Sequence, residues 1–193
     1  QNGDILVQKA PACTIQTRLG LSQKITAIDV NLGCSGFVTG LSLAKAVIVS
    51  GQAHNVLLLT AETYSKYMHE RDKSNRTIFG DGAAATLVST EGIARIGNFV
   101  IGTDGTGAEN LIVKTGCARN PKPLNDLKFD DYDNPRSSDN LYMDGPAILN
   151  YSLESIPQLF KDVLDKNGEE KDGIDLHVYH QANIFLANLE RRK

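Results

Sequence analysis

The chain has 193 residues, 41% of them hydrophobic and 22% charged, with a formal net charge of −3. This is the balance of an ordinary globular protein, and it excludes a disordered or fibrous chain. Arg191-Arg192-Lys193 is the only basic cluster, too short for a nucleic-acid footprint, and no apolar stretch approaches the ~20 residues that cross a bilayer. Cys13, Cys34 and Cys117 are odd in number and lack C-x-x-C spacing, which argues against a disulfide framework and for a reducing, cytoplasmic setting. No signal-peptide pattern follows Gln1, and the missing initiator Met points to a start further upstream.

Residues Ile25 to Val30 (ITAIDV) form a β-branched run that predicts a buried strand. After the Asn31-Leu32-Gly33 turn, Phe37, Leu41, Ala44 and Ile48 recur at helical spacing, with Gly51 placed to end the helix. Val56 to Thr60 (VLLLT) has the continuous apolar character of a central strand covered on both faces. Strand, helix, strand in this order is the βαβ pattern of a parallel or mixed sheet. Gly80-Asp81-Gly82 predicts a turn, Ala83 to Val88 a strand, and Ile93 to Ile101 its returning neighbour. From Gly102 to Leu141 the chain is rich in Asn, Asp, Pro and Gly, the composition of a long surface excursion. Asp144-Gly145-Pro146 opens a helix whose stripe is Leu149, Leu153, Ile156, Phe160 and Val163, which Gly168 ends and Pro157 should kink. Leu176 to Tyr179 predicts a last strand that delivers His180 at its end.

Cys34 lies where the first predicted strand turns into a helix, between Gly33 and Ser35-Gly36. Such an elbow exposes a side chain and lets substrate approach. The helix N-terminus there offers N–H groups and a positive dipole end, which stabilise a thiolate and a developing oxyanion. An average cysteine is an inert core residue; the Gly-Cys-Ser-Gly context favours a nucleophile instead. His180, in His180-Gln181-Ala182-Asn183, stands at a strand end where a neutral imidazole can take a proton or hydrogen-bond a carbonyl. His54 and His69 fall in turn and loop, and His177 reads as a surface or packing residue. A Cys and a His also serve cysteine hydrolases and metal sites, but no cluster has metal-ligand spacing. Gly80-Asp81-Gly82-Ala83 lacks the lysine and spacing of a phosphate loop.

Asp29 to Phe37 (DVNLGCSGF), Phe79 to Ala85 (FGDGAAA) and His180 to Asn183 (HQAN) together resemble the β-ketoacyl-acyl-carrier-protein synthase III family in order and rough spacing. Ala12 to Leu21 (ACTIQTRLGL) and Met143-Asp144-Gly145 add to the likeness, which covers nearly the whole chain. The resemblance implies an α/β fold of thiolase-like, layered α-β-α-β-α type, cut short at both ends. Residues 1–110 would be the nucleophile half and 111–193 the start of the second half. It implies that Cys34 takes an acyl group from coenzyme A, and that the acyl-enzyme condenses with malonyl-acyl carrier protein with loss of carbon dioxide. His180 would stabilise the malonyl carbonyl and the carbanion, and the Cys34 N–H would form part of an oxyanion hole. Asn183 and Arg76 fall near positions that contact coenzyme A in such enzymes. The family's Asn partner of the histidine would lie beyond Lys193. No cofactor is permanently bound: the acyl-coenzyme A and acyl-carrier-protein thioesters are substrates. The implied partners are acyl carrier protein and a second copy in a homodimer, with Ile5-Leu6 and the Gly102–Leu141 excursion in regions that meet the twofold mate. Two other readings are an acyltransferase on the same fold that forms an ester or amide, and a non-catalytic paralogue acting as a scaffold subunit.

Overall fold

The computed structural model describes residues 11–180; the expectations for Ile5, Leu6 and Asn183 lie outside the described residues. The chain divides into two compact units, Gln1–Ala61 with Ala83–Glu91, and Glu62–Gly82 with Gly92–Lys193.

In the first unit, helix α1 (Pro11–Arg18) precedes an extended segment, and helix α2 (Gly36–Val49) follows it. The helical periodicity of the sequence is realised in α2, whose buried residues are Gly40 and Ala44. Its end is closed by hydrogen bonds from Ser50 N to Ala46 O (3.0 Å) and from Gly51 N to Ile48 O (3.0 Å). Gly51 adopts φ +75°, where a residue without Cβ is least strained. Strand β1 (Asn55–Thr63) pairs with β2 (Asp81–Ser89). A bond from Thr90 N to His54 O sets the end of β2 beside the start of β1, as an antiparallel pair requires. A Cβ added to Gly40 would lie 2.6 Å from Leu58 Cδ1, so α2 packs onto β1 more closely than an alanine would allow.

Burial along β1 alternates, with Val56, Leu58 and Thr60 partly covered and Leu57 and Leu59 exposed at 44% and 39%. The continuous apolar run therefore has one covered face here, not the two its composition predicts. A second layer over Leu57 and Leu59 is not formed by the described residues. Ile25 to Val30 is likewise not a strand. It finds no ladder partner among the described residues, and Ile28 is 69% exposed. β-branched content makes a segment fit for a sheet, but the neighbouring strand makes it one.

The second unit corrects two further expectations. Ile93 to Ile101 does not pair with β2, because its backbone is engaged elsewhere: Asn98 N donates to Asn167 Oδ1 (2.7 Å) and Asn167 Nδ2 returns a bond to Asn98 O (3.1 Å). Leu176 to Tyr179 forms no ladder either, and is held through rings, with His177 5.1 Å and Tyr179 6.1 Å from Phe160. The polar excursion is mostly exposed, as its composition predicts, and carries short ladders of its own. Strand β3 (Leu111–Ile112) pairs antiparallel with β6 (Tyr142–Met143), and β4 (Lys128–Phe129) pairs antiparallel with β5 (Pro135–Arg136). Aspartates do the work of missing ladder bonds there: Asp139 accepts from Leu124 N (2.9 Å) and Asn125 N (2.8 Å).

A short helix α3 (Lys73–Arg76) precedes β2, and α4 (Gly145–Asn167) runs unbroken through Pro157. The predicted signals hold at both ends of α4. Asp144 caps it by accepting from Ala147 N (3.0 Å), and Gly168 ends it at φ 68°. Among the described residues, no helix is long and apolar enough to cross a membrane.

Candidate functional site

Cys34 sits in the exposed turn that joins the extended segment to α2. The turn is closed by Gly36 N donating to Gly33 O (2.8 Å), and the first helical bond is Thr39 N to Ser35 O (3.0 Å). Ser35 is the N-cap residue, yet its side chain makes no capping bond. The start of α2 therefore keeps its positive end turned toward the Cys34 turn, without a hydroxyl cap from Ser35. The elbow expected from the sequence is present, although the segment feeding it is extended chain rather than strand.

Cys13 also lies in the first turn of a helix, and all three cysteines are exposed, so exposure does not single out one thiol. The helix ends differ. Asp29 Oδ1 accepts from Ala12 N (3.0 Å), which puts a carboxylate at the start of α1 beside Cys13. A negative charge there offsets the helix dipole, and α2 has no such carboxylate in its first turn. Cys117 lies in a turn, bridged to Asn120. Of the two thiols at helix starts, Cys34 is the one whose helix has no carboxylate in its first turn.

His180 is exposed and follows the segment that Phe160 holds against α4. Cys34 belongs to the first unit, and His180 and Arg76 to the second. Asn183 lies outside the described residues.

Arg76 is exposed at the end of α3, and this short helix is fixed by residues that sequence reasoning passed over. Asp72, 3% exposed, caps it: Oδ1 accepts from Ser74 N (3.0 Å), Ser74 Oγ (2.8 Å) and Asn75 N (2.9 Å), and Oδ2 from Asn75 Nδ2 (2.7 Å). Asn75, 2% exposed, also donates to Leu141 O (3.1 Å). Burial pushes the Asp72 carboxyl upward, but the bonds from the Asn75 and Ser74 backbones and side chains outweigh it and leave the group below the usual carboxylate range. The Asp72-Lys73-Ser74-Asn75 run is itself an N-cap signature that could have revealed this anchor. Asp81, the first residue of β2 rather than part of the turn the sequence predicts, is also held low, first by the Ser65 hydroxyl and then by the Ser65 N–H. It locks the start of β2 to the 3₁₀ turn at Tyr64–Tyr67, a structural rather than a phosphate-binding task.

Residues 28–105 match the family described as 3-oxoacyl-[acyl-carrier-protein (ACP)] synthase III. The chain is 33% identical over 195 residues to a beta-ketoacyl-[acyl-carrier-protein] synthase III of Campylobacter concisus, a match covering 98% of this chain and 55% of that protein. A crystal structure of a 3-oxoacyl-(acyl-carrier-protein) synthase III superposes with a TM-score of 0.92 at 49% identity, over 96% of this chain and 56% of the other. One from Burkholderia xenovorans gives 0.79 at 36%, over 93% and 50%. The chain spans about half the length of the curated relatives it matches. Its mixed α/β architecture is that of the thiolase-like synthases it resembles.

Proposed function

From the premise that this chain belongs to the 3-oxoacyl-[acyl-carrier-protein] synthase III family, we propose that it carries the nucleophile of an acyl-transferring condensing enzyme. The observation that carries this reading is Cys34, exposed in a glycine-flanked turn at the start of a helix that has neither a Ser35 side-chain cap nor a first-turn carboxylate. The thiolate attacks the carbonyl of an acyl-coenzyme A thioester, and the helix-end N–H groups receive the oxyanion charge as the tetrahedral intermediate forms. Collapse expels the coenzyme A thiolate and leaves an acyl-Cys34 thioester. Loss of carbon dioxide from malonyl-acyl carrier protein then yields a carbanion that attacks this thioester, forming the carbon–carbon bond and returning Cys34 as thiolate. His180 donates a hydrogen bond to the malonyl thioester carbonyl and so holds the enolate charge. Arg76, on its anchored helix, and Asn183 contact coenzyme A, and residues 1–110 and 111–193 divide between the two halves of the fold. The reaction needs no resident cofactor, and its setting is the cytoplasm.

The test is to incubate the protein with acyl-coenzyme A and map the adduct by peptide mass. The expected result is one acyl group, on Cys34, and none on Cys13 or Cys117. An acyl group found first on Cys13, or none on any cysteine, overturns the assignment.

The protein is also proposed to act as a homodimer, which the exposed Leu57, Leu59 and Leu87 support by leaving apolar surface for another layer of protein to cover. Light scattering at micromolar concentration should return twice the chain mass. A clean monomer removes the dimer and leaves the Cys34 chemistry standing.

A further inference from the structure

The β4–β5 hairpin lies in the polar stretch that composition alone reads as a surface excursion, and it carries a charge arrangement that sheet formation does not favour. Lys128 and Arg136 are direct cross-strand partners in the antiparallel register. Directly opposed side chains on a β-ladder stand only ~5 Å apart at Cβ, and like charges there oppose pairing. Arg136 has a counter-ion, with Nε 3.1 Å and a terminal nitrogen 3.0 Å from Asp130 Oδ2. Lys128 has no ion pair among the described residues.

Both residues line an open cavity of about 400 Å³, and Lys114 is the third basic residue on its wall. Lys114 is placed there by its backbone, which donates to Ser138 O (3.1 Å). Its own ion pair is loose and wet: Glu109 Oε2 is 3.8 Å away, and the side chains are 49% and 82% exposed. One carboxylate, Asp126, shares the lining with these three cations. Its oxygens accept from Ser137 Oγ (2.9 Å), Ser138 N (2.9 Å) and Ser138 Oγ (2.7 Å), so it fixes the loop, and it forms no ion pair with the lysines. Those bonds, the Ser138 hydroxyl first, hold its carboxyl down at about 2. A protein with net charge −3 thus gathers three cations around one concave surface and leaves Lys128 without an ion pair among the described residues.

We propose that this cavity binds a phosphate-bearing ligand, a phosphomonoester or diphosphate group whose oxygens bridge Lys128 and Lys114 beside Arg136. A compact group with several charged oxygens can engage more than one of the cations that line the cavity, and would relieve the opposition of Lys128 and Arg136 across the ladder. The site lies within the second unit and does not depend on the chemistry proposed for Cys34.

Titration calorimetry at low ionic strength tests this with inorganic pyrophosphate and, in a second arm, adenosine 3′,5′-bisphosphate. Saturable pyrophosphate binding is expected, weakened about fivefold or more by Lys128→Gln and by Lys114→Gln, as loss of a charge-assisted contact requires. Lys161→Gln, on α4, should bind as the parent does. Tighter binding of the bisphosphate would identify the ligand as a nucleotide phosphate, and equal binding as an inorganic one; either supports the site. The proposal is overturned if neither anion saturates at millimolar concentration, or if both lysine variants bind pyrophosphate like the parent. Because Lys128 lies on β4 and Lys114 in the segment after β3, misfolding of one variant still leaves the other to decide.

Discussion

Replacing Cys34, the proposed acyl acceptor, with Ala is expected to lower acyl transfer by ~10⁴-fold or more, because the step would lose its covalent nucleophile. The paired variant, His180→Ala, should separate the two half-reactions. Acyl loading onto Cys34 relies on the dipole end and N–H groups of α2 and should persist, visible as a mass gain on the protein. Decarboxylation of the malonyl thioester, followed as carbon dioxide release, should fall by roughly 10²–10⁴-fold, the range for a positioned acid–base or hydrogen-bonding group. If His180→Ala instead abolishes loading and leaves malonyl decarboxylation intact, the imidazole serves the thiol rather than the carbanion, and the role given to it is wrong. If the Cys34→Ala protein still accumulates an acyl adduct, the nucleophile lies elsewhere.

What could be read from the sequence follows from the range of the interactions involved. The two long helices were legible because their signals are local: Asp144 three residues before the N–H it caps, Gly168 at the one position that needs a left-handed backbone, Gly51 likewise after α2. The Cys34 elbow was legible for the same reason, since Gly33, Ser35 and Gly36 are its immediate neighbours. Three predicted strands were not strands, and in each case a non-local partner decided. The Asn167 side chain, 69 residues away, holds the backbone of Asn98; Phe160 holds His177 and Tyr179; the run from Ile25 to Val30 has no ladder partner among the described residues. Apolar periodicity gives the capacity for a ladder and cannot name the partner. The excursion from Gly102 to Leu141 was read as surface and is mostly exposed, but its internal order was not legible. Its order comes from Asp126, Asp130 and Asp139 accepting backbone and hydroxyl bonds, a device that hydrophobic patterning does not register. Asn75 was missed because burial of a polar side chain is visible only once Leu141, 66 residues on, is seen to accept from it.

That buried anchor sets the second large expected effect. Replacing Asp72 with Ala removes the cap of α3 and strips four hydrogen bonds from a carboxylate that is 3% exposed, leaving the Asn75 amide with Leu141 O as its sole acceptor. A lost N-cap costs about 1 kcal/mol and a buried bond to a charged group about 1.5–3 kcal/mol, so a loss of about 3 kcal/mol is expected in urea unfolding at neutral pH. Asp72→Asn should cost less, because its amide oxygen can still accept from the Ser74 and Asn75 N–H groups while its amide nitrogen faces a donor. The asparagine variant also gives the charge its own test. The folded carboxyl of Asp72 lies below its ordinary value of 3.8, so the stability it contributes is present above the unfolded value and is lost as pH falls through the folded one. The gap between parent and Asp72→Asn should therefore be widest near neutrality and narrow as pH falls past the ordinary carboxylate value of 3.8 and through the lower folded one. Asp81 and Asp126 titrate in both proteins and cancel in the difference. A gap that stays constant with pH would mean that Asp72 acts by shape and hydrogen bonding alone, with no contribution from its charge. Because α3 also carries Arg76, the same substitution should raise KM for acyl-coenzyme A more than it lowers kcat if that arginine grips the substrate. An equal fall in kcat with KM unchanged would separate the anchor from substrate binding.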